Sequence, residues 1–144
     1  MNVERAILAK LEGAPAVVAL VGTRIYHGQL PERPTWPCVQ FVRVDTTQGD
    51  RTLEDRTRKD HRFQVDCWGA DIDGALALGE AVHGNDDRSN KGPLDGFAGV
   101  VVVGLESLSI QLIEQLVVRG PRAEDDLEPG AVVRRVGADY RVHL

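Results

Sequence analysis

The sequence predicts an α+β domain: a mostly antiparallel β-sheet with two helices packed on one face. Segments that alternate apolar and polar residues outnumber those with helical spacing, most links between them are hairpin-like, and neither an internal repeat nor a low-complexity tract interrupts the chain. Its 144 residues suit one domain, 1–144, and can bury a core without disulfides or metals. Aromatic residues make up only 5% of the chain, so that core must be built from Val, Leu, Ile and Ala.

The elements follow in order. Val3, Ile7, Leu8 and Leu11 share a helical face, which predicts a helix from Val3 to Glu12 with Asn2 as N-cap and Gly13 as its stop. Pro15 opens a second helical turn over Ala16 to Leu20, ended by Gly22. Arg24 to His27 is a short strand. Gly28 to Pro37 holds three prolines and reads as a loop. Cys38 to Asp45 is rich in strand formers. Thr46 to Lys59 is a charged connection whose flanks continue the strands. Asp60 to Trp68 alternates Phe63, Val65 and Cys67 against Arg62, Gln64 and Asp66, the pattern of a half-buried strand.

Asp71 starts a helix whose face carries Ile72, Ala75, Leu76, Gly79 and Val82, and Gly84 ends it. Its small residues Gly74, Ala77 and Ala81 let it sit close to a sheet. Asn85 to Asp95 is a polar loop. Phe97 to Leu105 begins a strand that continues through Leu108, Ile110 and Leu112, with a bulge or bend at Glu106-Ser107 where the alternation changes phase. Ile113 to Arg119 prolongs it. Gly120 to Gly130 is an exposed acidic loop. The last strand sets Val136, Ala138, Tyr140, Val142 and Leu144 on one face against Arg135, Asp139, Arg141 and His143 on the other.

Composition narrows the function. The net charge is −5, from 17 basic and 22 acidic residues, which disfavours general DNA binding. Only three of the basic residues are lysine; the rest are arginine, whose planar fork suits protein interfaces. The N-terminus Met1-Asn2-Val3-Glu4 lacks the pattern of a signal peptide, and the apolar stretches are too short to span a bilayer, which together place the protein in a cytoplasm. Cys38 and Cys67 read as reduced core thiols.

Catalytic patterns are missing. His27, His61, His83 and His143 lie at no metal-binding spacing and read as strand-surface or helix-end residues; His83 at a helix C-terminus suits the dipole. Asp71-Ile72-Asp73-Gly74 resembles the opening of a calcium loop, but Ala75 to Leu78 supply no oxygen ligands. No phosphate-binding loop or nucleophile elbow occurs. Asp45, Asp50, Glu54 and Asp55 could form a carboxylate site, yet Arg51, Arg56, Arg58 and Lys59 surround them, and an ion-pairing interface is the better reading. Trp36 and Trp68 read as cover for a core edge or as anchors of a subunit contact. These residues predict no enzyme, cofactor or metal. They predict a rigid sheet domain with two protruding arms, loops 46–59 and 120–130. The candidate subunit or partner interface is Arg51, Leu53, Glu54, Asp55, Arg56 and Arg58 in the first, and Glu124, Asp125, Asp126 and Glu128 in the second.

Several segments in one order carry a family resemblance: Leu20 to Tyr26, Pro34 to Val39, Arg62 to Trp68, Arg134-Arg135 and Asp139 to Val142. Together they resemble the tail completion or tail terminator proteins of long-tailed bacteriophages and gene transfer agents. The resemblance implies an α+β domain in a hexameric ring at the tail–neck junction of the virion, assembled in a bacterial cytoplasm. Such a ring caps the tail tube protein, stops tube polymerisation and meets the head–tail connector or neck protein. DNA passes through its lumen without specific binding, and the net acidity of the chain is consistent with repelling phosphates. Two alternatives are a head-side neck or head-completion protein and, from another class, a small metal-dependent hydrolase or nuclease using His61.

Overall fold

The computed structural model describes residues 1–48, 59–87, 89–124 and 133–144. Within them the chain runs α1 (Val3–Glu12), α2 (Pro15–Val21), β1 (Ile25–His27), β2 (Cys38–Gln48), β3 (Lys59–Gly69), α3 (Ile72–His83), β4 (Gly99–Val103), β5 (Glu106–Ile110), β6 (Leu112–Glu124) and β7 (Val133–His143). Five strands form one sheet in the order β1-β2-β3-β7-β6, while β4 and β5 form a separate two-stranded sheet. Only β1 and β2 pair in parallel; the remaining pairs are antiparallel. The α+β expectation holds.

Local chemistry starts and stops the helices where the sequence indicated. The Asn2 side chain accepts from the Arg5 amide, and Asp71 Oδ1 accepts from the Gly74 amide at 2.6 Å, so Asp71 caps a helix rather than binding calcium. Pro15 opens α2, which becomes a helix in its own right and brings the number of described helices to three rather than two.

The core lies between the helices and one face of the sheet. Val3, Ala6, Ile7 and Leu11 of α1, Val17 and Val21 of α2, and Ala75, Leu78 and Val82 of α3 pack with Val39, Phe41, Phe63, Val65, Cys67, Val136, Ala138, Tyr140 and Val142. The alternation read along β3 and β7 therefore names the core face correctly. Gly79 lets α3 approach β7: a Cβ there would lie 3.0 Å from Val136 Cγ1. At the edge, Arg43 grips Glu4 through two contacts of 2.8 Å, tying β2 to α1.

Two expectations fail. The bulge near Glu106 is instead a reversal: Val103 pairs with Glu106 around the two-residue loop Gly104-Leu105. Gly104 sits at φ +63, the left-handed conformation a tight hairpin loop demands. The predicted continuous strand thus splits into the β4–β5 hairpin and β6. In addition, β6 continues through Gly120 to Glu124, the start of the predicted second loop, by pairing with β7 across a register shift between Arg119 and Arg122.

Candidate assembly interface

The face of the sheet turned away from the helices is chemically divided. At one end the 28–37 segment folds back over it. There Cys38, Trp68 and Val133 are buried, with Tyr26, Leu30 and Trp36 packed against them. Trp36 and Trp68 lie 6.0 Å apart, and Trp68 Nε1 donates to Gln40 Oε1 at 3.2 Å. Trp68 is 5% exposed and Trp36 half-buried, so the pair covers a second, smaller core, as the first sequence reading had it. Cys38 pairs with Trp68 and Cys67 with Val39, which places the two thiols on opposite faces of neighbouring strands. Both are free, and burial pushes the Cys38 thiol up to about 12.

Much of the rest of this face is ionic, with Val42 and Val117 exposed among the charges. Asp139 on β7 is 3% exposed and held by two arginines from flanking strands. Arg119 Nη1 and Nη2 donate to its two oxygens at 3.1 and 2.6 Å, and Arg62 Nη2 donates at 2.6 Å. Burial alone would raise the carboxyl, but these hydrogen bonds outweigh it and hold Asp139 below the usual carboxylate range. Asp66, 5% exposed, has weaker support: Gln64 Nε2 donates at 3.1 and 3.3 Å, and Arg135 Nη1 stays 3.9 Å away. Its burial dominates and raises its pKa. Gln64, Asp66, Arg119, Arg135 and Gly137 line a concavity of about 310 Å³. Gly137 keeps it open, since a Cβ there would lie 2.5 Å from Asp66 Oδ1.

Two carboxyls with oppositely shifted pKa values can mark an acid–base pair. Here the shifts have structural causes. Asp139 spends both oxygens on arginines, and the concavity has polar walls rather than the apolar lining that holds a small substrate. A second arrangement resembles a nucleophile and its base: Cys67 Sγ lies 3.4 Å from His83 Nε2 under α3. Both groups are buried, and burial moves the thiol well up and the imidazole down to about 4, the reverse of what thiolate chemistry needs. Gln115 Nε2 donates to the Tyr140 hydroxyl at 3.0 Å, that hydroxyl lies 2.6 Å from His83 Nδ1, and the imidazole also hydrogen-bonds with the Val136 backbone. This chain of neutral groups locks α3 onto β3, β6 and β7.

Two of the four histidines depart from the strand-surface reading: His61 and His143 are buried, like the helix-end His83, and only His27 is exposed. His83 does end a helix, but desolvation exceeds the dipole's attraction for a cation. His61 Nδ1 lies 2.8 Å from Thr46 Oγ1, and burial, with Arg43 and Lys59 nearby, lowers its pKa. His143 sits between Asp60 at 2.8 Å and Glu114 at 3.3 Å. Among the described residues, no group of His, Cys, Asp and Glu is placed to hold a metal ion, and no helix is long and apolar enough to cross a membrane.

Of the predicted interface, Arg51, Leu53, Glu54, Asp55, Arg56, Arg58, Asp125, Asp126 and Glu128 lie outside the described residues. Glu124 ends β6 opposite Val133, with its side chain also outside them. The sequence reading missed the clamp on Asp139, whose partners come from strands 20 and 77 residues away. It also missed the exposed side of the β4–β5 hairpin, because a run of four valines carries no alternation.

The site thus consists of clamped ions on the open face, a sealed aromatic end and neutral polar groups buried under α3. The profile of the tail completion protein gp17 family matches residues 5–85, from α1 through the end of α3, and the chain belongs to that family. By that membership it is a structural, tail-related virion protein. No curated protein matches the chain. A chain in the solved virion of a native gene transfer agent particle is 20% identical and aligns over 98% of this chain and 92% of its own, with a TM-score of 0.60. That likeness extends the shared fold through β6 and β7, beyond the end of the family match.

Proposed function

We propose that this chain caps the finished tail tube as a hexameric ring at the tail–neck junction, ends tube polymerisation and forms the tail side of the head–tail junction. Membership of the tail completion family carries this reading. The physical chemistry supports it. On the described part of the open face Arg62 and Arg119 are engaged by Asp139, and Arg135 leans toward Asp66 and over Trp68 at 5.3 Å, which leaves fewer cations to hold DNA phosphates. Residues 1–144 act as one unit, the segments 46–59 and 120–130 are its arms toward neighbouring subunits, tube protein and neck protein, and the role involves no catalysis.

Deleting the gene tests this directly. Micrographs of the lysate should show filled heads unjoined to tails, with tails of irregular or excessive length. Normal-length, capped tails beside leaking heads would overturn the terminator role in favour of head completion. Reversing Arg51, Arg56 and Arg58 together to Glu should weaken assembly while leaving the circular dichroism spectrum unchanged. Exposed ion pairs contribute only about 0.2–1 kcal/mol each, so the triple change is needed.

A further inference from the structure

The concavity of about 310 Å³ on the open face gathers its walls from three strands. Gln64 and Asp66 come from β3, Arg135 and Gly137 from β7, and Arg119 from β6. Gly137 pairs with Asp66 on one side and with Arg119 on the other, so its bare backbone forms the floor between an acid and a guanidinium. Strand β6 shifts register immediately after Arg119, a feature that redirects side chains in sheets.

The charges around this floor do not cancel. Two arginines and one aspartate line the concavity, and the adjoining clamp adds Arg62 and Asp139. Within this cluster three guanidinium groups meet two carboxyls, which leaves one positive charge in excess and favours an anion over a cation. Arg119 gives Asp139 two of the five N–H groups that a guanidinium carries, so donors remain for a second acceptor. Asp66 then selects among anions. It faces Arg135 and Asp139 from β7, Arg119 from β6 and the uncharged Gln40 from β2. Burial favours its protonated form, and a protonated carboxyl donates to an incoming oxygen instead of repelling it. Two carboxyls hold a proton with similar strength and can share one, whereas a phosphodiester is too weak a base to do so. The chemistry therefore fits a carboxylate better than nucleic acid. The polar walls suit a charged side chain better than a free small molecule.

We propose that this concavity binds the carboxylate of an aspartate or glutamate side chain presented by a partner protein, held by Arg119 and Arg135 over Gly137. The contact does not depend on the ring reading. To test it, the isotope-labelled full chain is titrated with the peptide Gly-Glu-Gly-Glu-Gly, its Gln and Lys counterparts, acetate and a short DNA duplex, at equal ionic strength, with amide NMR shifts as the readout. The Glu peptide should shift the amides of Asp66, Arg119 and Gly137, the Gln peptide should leave them in place, and acetate should act on the same amides more weakly. Arg135→Gln should weaken the Glu peptide about tenfold, while Asp66→Asn should tighten it about threefold, because the amide keeps a donor and removes the charge. Arg135→Lys, which loses only the planar fork, replaces the glutamine variant if melting curves show the latter unfolded, and should weaken binding less. A merely structural Asp66 would not tighten binding when neutralised. Equal shifts from the Gln peptide, or no shift from the Glu peptide in millimolar excess, would overturn the proposal. So would weaker binding by Asp66→Asn, or tighter binding of the Lys peptide or of DNA. Shifts from acetate without shifts from the Glu peptide would mark a small-anion site and overturn the protein partner.

Discussion

On the helix-covered face of the sheet His83 is 4% exposed and gives up its charge; on the open face Asp139 is 3% exposed and keeps its own. The difference lies in what surrounds each group. Around His83 the partners are a thiol, a phenol, an amide and the Val136 backbone, which satisfy hydrogen bonds but offer no countercharge, so burial decides and holds the imidazole near 4. Around Asp139 two guanidinium groups provide three donors, and the carboxylate stays ionised despite burial. Asp66 is the intermediate case, buried among weaker partners and raised accordingly. Equal burial therefore does not imply equal charge: a sheet face covered by apolar helices neutralises its polar residues, while one open to long arginines can hold ions.

The strongest break of this contrast is at Tyr140, which joins the apolar core to the neutral chain. Tyr140→Ala should cost about 4 kcal/mol, from the cavity and the orphaned His83 and Gln115. Tyr140→Phe keeps the packing and should cost about 1–2 kcal/mol. Urea unfolding at pH 7 measures both.

Next comes pH, which separates the two faces. The folded pKa of His83 lies below its unfolded value of 6.5, so its stabilisation is complete above pH 6.5 and is lost as pH falls toward about 4. The loss over that window is about 3 kcal/mol, with His61 adding in the same direction. Asp139, with a lowered pKa, contributes stability present above 3.8 and lost only as pH falls below that value. Unfolding free energies taken from pH 7.5 down to pH 3 should show the first decline before the second. His83→Met should flatten only the upper part; a slope retained there would refute the assignment.

The two aspartates sharpen the comparison further. Asp139→Asn should cost about 2 kcal/mol at pH 7, discounted from the full charged-pair value because both arginines are partly exposed. Asp66 works the other way. Its raised pKa makes ionisation a cost at neutral pH that is relieved as pH falls, so Asp66→Asn should match or exceed wild-type stability. Chemical denaturation of the two variants side by side decides this; equal losses would remove the distinction. The smallest effect is expected at Gly79. Gly79→Ala gains about 1 kcal/mol of helix propensity and loses more by crowding Val136, for a net destabilisation of about 1 kcal/mol in thermal melts.

Much of the fold was legible before any coordinates. Asn2, Pro15, Asp71 and Gly84 mark helix ends because capping is chemistry within a few residues. Phe63, Val65 and Cys67, like Val136, Ala138, Tyr140 and Val142, name the core face because a strand's alternation is a local consequence of its pleat. The valine run at 100–103 was harder: without alternation, neither its reversal at Gly104 nor its exposed side could be read. The predicted interface residues in the two arms lie outside the described residues, and their role stays with the proposed function.

The sequence by itself determined the class of fold, the helix boundaries, the inward faces of β3 and β7 and the family. Tertiary structure alone decided that His83 is neutral, that Asp139 is clamped, that Cys38 and Cys67 face opposite ways and that a hairpin stands apart with bare valines. Caps and alternation act over a few residues, whereas charge state and exposure depend on which distant strands come to lie side by side: Arg62 reaches Asp139 across 77 residues of chain, and Tyr140 reaches His83 across 57.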